Sequence, residues 1–333
     1  MRSAAFEAFL STNVSGADWV PEATSRYVLE RQNSDGGFFY ARQAGTSSIE
    51  DTFYAVSILK MAGEEVPNEE KVVSYVLSAQ RPDGSFGSLS SAAHALSTLS
   101  LLGRPLPLTE GYASWARGFL AQGLFLRNRS ENSLEAFEAG AWALSFLGES
   151  PFRGGTWSDL LKQYAWPEGG YGFSLPTLSG TFHAARGAEF LRVPLDVKPD
   201  FVEACRVRNW GFSETPWSFP PTVSDTFHGI WLAIKTGAEL DDAGVLAKRL
   251  KGYMNGNGGF REFPEIGIST LESTYKAIAA LSMIQTGVRP RRSDLSHWPV
   301  HGSLRPTRCH PDRRTAPPES SGLSLAQSFE KAP

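Results

Sequence analysis

Apolar residues along most of this chain recur every three to four positions, the spacing of one helix face. Short turns rich in Gly and aromatics interrupt that spacing at nearly even intervals. Two of the turns read almost alike, Gln32-Asn33-Ser34-Asp35-Gly36-Gly37-Phe38 and Gln80-Arg81-Pro82-Asp83-Gly84-Ser85-Phe86, with Gln, Asp, Gly and Phe at the same offsets. A repeat of this period predicts an array of helical hairpins. Following it gives six units with turns at 35–38, 83–86, 123–125, 168–173, 209–212 and 257–260. In each unit the second helix is the more apolar one, and these helices are predicted to begin near Ile49, Leu89, Leu134, Leu178, Val223 and Leu271. Several units end on Gly, at Gly63, Gly103, Gly148, Gly237 and Gly287, as a left-handed helix C-terminus requires.

Helical hairpins cannot hide their apolar faces alone and must stack. The second helices, typified by Ala141-Trp142-Ala143-Leu144, read as an inner layer, and mixed-charge stretches such as 71–79 as an outer one. Six hairpins can close on themselves and leave no raw apolar end, whereas an open stack would need polar caps. The predicted fold is therefore all-α: an α/α toroid over 20–287, with an N-terminal extension at 1–19. From 288 to 333 the chain holds seven Arg, is rich in Pro and Ser and has no apolar period, so that tail is predicted to be disordered.

The composition, 41% hydrophobic and 20% charged over 333 residues with net charge −3, is that of an ordinary globular protein. It argues against a nucleic-acid partner, which would need a basic face. No apolar run is long enough to span a membrane, and the first ten residues lack a signal peptide's apolar stretch. Two cysteines, Cys205 and Cys309, are too few for a disulfide framework or a thiolate metal cluster and fit a cytoplasmic protein. Asn128-Arg129-Ser130 has the form of a glycosylation sequon and Cys309-His310 that of a metal pair; both are read as chance.

The Gln…Asp-Gly-(Gly/Ser)-Phe turns resemble those of protein prenyltransferase β subunits and, more distantly, of squalene-type terpenoid cyclases. The stretch from Lys71 to Gly87 is especially similar to the type II geranylgeranyl transferase β subunit. The resemblance covers roughly 20–287. It implies a toroid with a central cavity, an isoprenoid diphosphate or polyprenyl lipid as ligand, and an α-type protein partner. In that family an Asp and a Cys on the fifth inner helix and a His on the sixth bind zinc. Asp225 stands at the Asp position, but Phe227 and Ser273 occupy the other two, so the zinc site is not retained and no cofactor is expected beyond Mg²⁺ accompanying a diphosphate. The family's diphosphate-clamping Arg and Lys read Phe219 and Thr222 here, and its fourth-helix His falls near Thr177. The cyclase branch protonates its substrate with an Asp-x-Asp-Asp-Thr motif. Ser48-Ile49-Glu50-Asp51-Thr52 matches in part and offers Glu50 and Asp51 as the acid. The alternative for Glu50, Asp51 and Asp225 is plain helix capping and dipole stabilisation.

Aligning the inner helices gives two columns. The sixth position reads Tyr54, His94, Ala139, His183, His228 and Lys276. It would ring one mouth of the cavity and offer charge-assisted donors to an anionic head group, or else hold core histidines bonded to neighbouring carbonyls. Its three histidines stand on different hairpins, too far apart to share a metal. The fifth position, Phe53, Ala93, Glu138, Phe182, Phe227 and Tyr275, is mostly aromatic, with Trp142 and Trp231 deeper. It would line a polyprenyl cavity or simply fill the centre of the ring. Three functions follow: an isoprenoid-binding, prenyltransferase-like toroid; a single-domain class II terpene cyclase; or a non-catalytic scaffold for a protein partner.

Overall fold

Twelve helices alternate between two layers in the computed structural model, which describes residues 20–40, 45–122, 130–148 and 156–285. The outer helices are α1 (Glu22–Leu29), α3 (Glu69–Ser78), α5 (Glu110–Gln122), α7 (Thr156–Lys162), α9 (Pro199–Ala204) and α11 (Ala243–Lys251). The inner helices are α2 (Ile49–Ala62), α4 (Leu89–Leu101), α6 (Ser133–Ser145), α8 (Leu178–Leu191), α10 (Val223–Thr236) and α12 (Leu271–Gln285). Five inner helices start at the expected residue. Their first turns are held by Ser48, Ser88, Thr177, Thr222 and Thr270, whose hydroxyls accept the backbone N–H three residues on. The third starts one residue early, at Ser133, where Asn132 makes no side-chain cap.

Burial separates the layers as the pattern requires. Outer helix α3 buries only Val72 and Val76, whereas α10 buries every residue from Val223 to Ala233 except Ser224. The inner helices touch in order, α2 on α4, α4 on α6, α6 on α8, α8 on α10 and α10 on α12, and α12 returns to α2. The ring of six is closed.

The repeated turn is what locks each hairpin to the next. Asp35, Asp83 and Asn257 each accept the N–H two residues on, which folds a tight loop around a Gly at positive φ. Gln32 and Gln80 donate at once to that loop (Gly36 O at 3.3 Å, Gly84 O at 3.0 Å) and to the entry of the next hairpin (Pro67 O at 2.7 Å, Pro107 O at 3.0 Å). The aromatics Phe38, Phe86, Phe212 and Phe260 are buried behind it. In four units the N–H of the turn aromatic (Phe38, Tyr171, Phe212 or Phe260) donates to a Thr hydroxyl on the following inner helix, Thr52, Thr181, Thr226 or Thr274.

The sixth turn applies the same rule to the first hairpin. Gly258 lies so close to α1 that a Cβ there would stand 2.1 Å from the Ala23 carbonyl oxygen, and the Thr24 hydroxyl donates to Gly258 O at 2.8 Å. The clasp joins residues 234 apart in the chain.

One local departure from the expected pattern has a local cause. The fifth turn lacks Asp-Gly and forms a small antiparallel pair, β1 (Arg206–Val207) and β2 (Gly211–Phe212), with Asn209 at φ 62 making the bend. Helices α2 and α10 end on Gly63 and Gly237 as expected, while α8 ends on Arg192 at φ 58. The predicted extension at 1–19, the turn at 123–125, Gly287, the tail, Cys309-His310 and Asn128 with Arg129 of the sequon lie outside the described residues.

Candidate functional site

Inner helices α6 and α8 approach closely because Gly187 has no side chain: a Cβ there would lie 2.3 Å from the Phe137 ring. That approach sets Glu138 of α6 against His183 and Arg186 of α8. Arg186 Nε lies 2.9 Å from Glu138 Oε1, and His183 Nδ1 contacts Glu138 Oε2. Both Glu138 and Arg186 are buried. Burial acts to raise the Glu138 pKa. The Arg186 charge, the His183 hydrogen bond and charge, and the His94 charge outweigh it and hold the carboxyl below its ordinary value.

Around this pair the aromatic column closes into a belt. Phe53 contacts Trp142 at 5.5 Å and Tyr275 at 5.7 Å, Tyr275 meets Phe227 at 6.3 Å, and Phe227 meets Phe182 at 5.5 Å. Arg186 completes the circuit, its guanidinium 5.5 Å from the Trp142 ring centre and 5.4 Å from that of Phe182. Trp231 packs edge-on against Phe182 at 5.2 Å. All of these rings are buried in the core.

The polar column sits against the belt. Tyr54 contacts the rings of His94 and Tyr275 at 5.7 and 5.3 Å, and His228 stacks on Phe182 at 4.2 Å with His183 at 5.7 Å. Burial pushes the His94 pKa down to about 4, and it pushes His228 well below the usual range, helped by the charges of Lys276, His183 and Arg186. Both are neutral at pH 7, so they offer neutral hydrogen bonds, not the charge-assisted ones expected. Lys276 is tied to Glu272 at 2.6 Å and to the Ser224 hydroxyl at 3.0 Å. The buried cation of the ring interior is Arg186, which column reading missed. Its signal was an Arg between Ala185 and Gly187 on an inner helix, one turn beyond Phe182. Three buried nitrogens of this region, the indole donors Trp142 Nε1 and Trp231 Nε1 and the ring nitrogen His228 Nδ1, have no hydrogen-bond partner among the described residues.

The acids named from the cyclase and zinc patterns are placed differently. Glu50 is exposed and accepts from the Ser90 hydroxyl at 3.2 Å. Asp51 and Ser48 form a reciprocal cap: the Asp51 N–H donates to Ser48 Oγ at 2.9 Å, and that hydroxyl donates to the Asp51 carboxylate at 2.6 Å. Asp225 is buried beside Glu214, with Glu262 close by. Burial, then the Glu214 hydrogen bond and charge, push its pKa to about 7. Glu214 and Glu262 in turn reach back to cap the preceding inner helices α8 and α10, accepting the N–H groups of Ser179 and Ser224.

Zinc does not fit at Asp225. Phe227 belongs to the aromatic belt, the Ser273 hydroxyl donates to Glu262 at 2.8 Å, and the Cys205 thiol is buried with its pKa pushed up to about 12. No group of three or more His, Cys, Asp or Glu side chains among the described residues is arranged to hold a metal. No helix among the described residues is long and apolar enough to cross a membrane.

No curated protein matches the chain. The family model of the prenyltransferase alpha-alpha toroid domain matches residues 4–108 and 194–299, more than half of the chain. Glu138, His183 and Arg186 fall between the two matched stretches. A closed double ring of helical hairpins and that match together place this chain in the prenyltransferase alpha-alpha toroid domain family.

Proposed function

We propose that the toroid binds an isoprenoid diphosphate, its chain against the aromatic belt and its polar end at Arg186, His183 and His228. The observation that carries this reading is the belt itself. Six aromatic side chains and one buried guanidinium meet at the centre of the ring, with the indole N–H groups of Trp142 and Trp231 and the Nδ1 atom of His228 left unmatched. Methyl-branched alkene units pack well on aromatic faces. Each unmatched donor costs about 1–3 kcal/mol, which a ligand oxygen would relieve. Glu138 holds Arg186 and His183, and an incoming diphosphate takes over as their acceptor. An α-type protein subunit supplying the acceptor site accords with this role. With no zinc donor set, activation of an acceptor thiol is not assigned to this chain. Glu50 and Asp51, as surface and capping carboxylates, favour the binding reading over a cyclase.

The test is thermal unfolding with geranylgeranyl diphosphate, geranylgeraniol or inorganic diphosphate. The full ligand should raise Tm most, and the His183→Ala/His228→Ala double variant should lose that gain. No gain with any of the three, or an equal gain in the double variant, overturns the proposal.

A further inference from the structure

The four most exposed large apolar side chains among the described residues are Ile266 (72%), Trp217 (71%), Phe219 (66%) and Ile268 (62%). All four stand on two loops of neighbouring hairpins, the segment leading into α10 and the segment leading into α12. The loops are built rather than slack. Ser218 N–H donates to Thr215 O, which sets Trp217 at the tip of a tight turn between Pro216 and Pro220. Arg261 donates to the carbonyls of Phe263 and Pro264 at 3.1 and 3.0 Å and fixes the base of the second loop. Phe219 packs on Trp210 at 5.8 Å. Trp210 in turn lines a cleft of about 570 Å³ with Tyr253, Pro264 and the charged Lys248, Arg249, Arg261 and Glu265, so a mixed apolar and mainly cationic surface joins the two hairpins. An apolar area held outward by its own backbone bonds marks a contact surface.

Its charge says what it contacts. Helix α11 ends on Lys248, Arg249 and Lys251, beside the cleft. Lys248 and Lys251 are exposed and make no ion pair among the described residues, and Glu265 is the one carboxylate in the cleft lining against Lys248, Arg249 and Arg261. Protruding Trp, Phe and Ile flanked by free cations match the chemistry of an anionic lipid interface: indole at the headgroup level, aliphatic tips at the acyl boundary, ammonium groups among the phosphates. We propose that this face docks the toroid on an anionic membrane surface, without spanning it. Such docking requires nothing of the ring interior.

The experiment is co-sedimentation of the full chain with phosphatidylcholine vesicles, with and without phosphatidylserine. The parent should bind the phosphatidylserine vesicles. A Trp217→Ser/Phe219→Ser/Ile266→Ser/Ile268→Ser variant should lose about 100-fold or more in partitioning on them. A Lys248→Glu/Lys251→Glu variant should lose about tenfold or more on phosphatidylserine vesicles and little on pure phosphatidylcholine. The Arg-rich segment from 288 onward is common to all three proteins, so the differences report the patch. An unchanged Tm in both variants shows that they fold. The proposal is overturned if the parent binds neither vesicle, or if all three proteins bind equally. It is equally overturned if the patch instead drives concentration-dependent self-association that the serine variant abolishes.

Discussion

Replacing Arg186 by Met keeps an apolar stem in the belt and removes the charge that faces Glu138. The Arg186 and Glu138 side chains are only 6% and 10% exposed, so water cannot take over the guanidinium's role. Removing one member of a buried ion pair costs about 3–5 kcal/mol, because the remaining charge is stranded out of water. Glu138→Gln/Arg186→Met removes both charges and should recover most of that loss. The pH dependence gives the sign. Glu138 titrates below its ordinary value in the folded parent, so its pair contributes stability above the unfolded pKa of about 4.3 and loses it as pH falls through the folded value. Without Arg186, burial prevails and the folded pKa rises, so Arg186→Met is weakest at neutral pH and approaches the parent in acid. Urea unfolding followed by circular dichroism, at pH of about 7 and about 4, measures both gaps. A gap under about 1 kcal/mol at neutral pH, or one that does not narrow in acid, refutes the assignment of a buried pair at the centre of the ring.

Ring closure can be weighed with two glycines. Gly103 has φ +67 and open space around it, so Gly103→Ala should cost only the left-handed strain of about 1–2 kcal/mol. Gly258→Ala adds a collision with the Ala23 backbone and should cost about 1–3 kcal/mol more; equal changes in Tm would mean that the clasp between the last turn and the first helix does not bear on stability. Asp225, with its folded pKa raised to about 7, contributes stability below its unfolded pKa and loses it as pH rises through about 7. Stability of the parent relative to Asp225→Asn should therefore fall by up to about 4 kcal/mol between acid and mildly alkaline pH, and a flat difference would count against burial of the Asp225 carboxyl beside Glu214.

The helices and the ring were legible because their causes are local. The inner helices start where the aligned apolar pattern places them, and the caps that hold those starts, Ser48, Thr177 and Thr222, act within three residues. Gln32 and Gln80 announce a turn because one side-chain amide must satisfy two carbonyls at fixed offsets. The polar column was legible as a set of positions, but its chemistry was not. His94 and His228 are neutral because of how deeply they are buried. Lys276 is occupied by Glu272 one turn away, a local pairing that aligning columns passed over. Glu50 and Asp51 looked alike in sequence, yet one faces solvent and the other closes a cap.

The repeat, the two layers and the count of hairpins can be read along the chain, since helix periodicity and turn bonding are short-range. What the centre contains follows from packing between hairpins. Glu138 and Arg186 stand 48 positions apart on different hairpins. They meet because Gly187 lets α8 settle against Phe137 of α6, and that distance belongs to neither helix alone. Burial and charge pairing depend on every neighbour at once, which is why the buried guanidinium inside the belt came into view with the ring and not with the repeat.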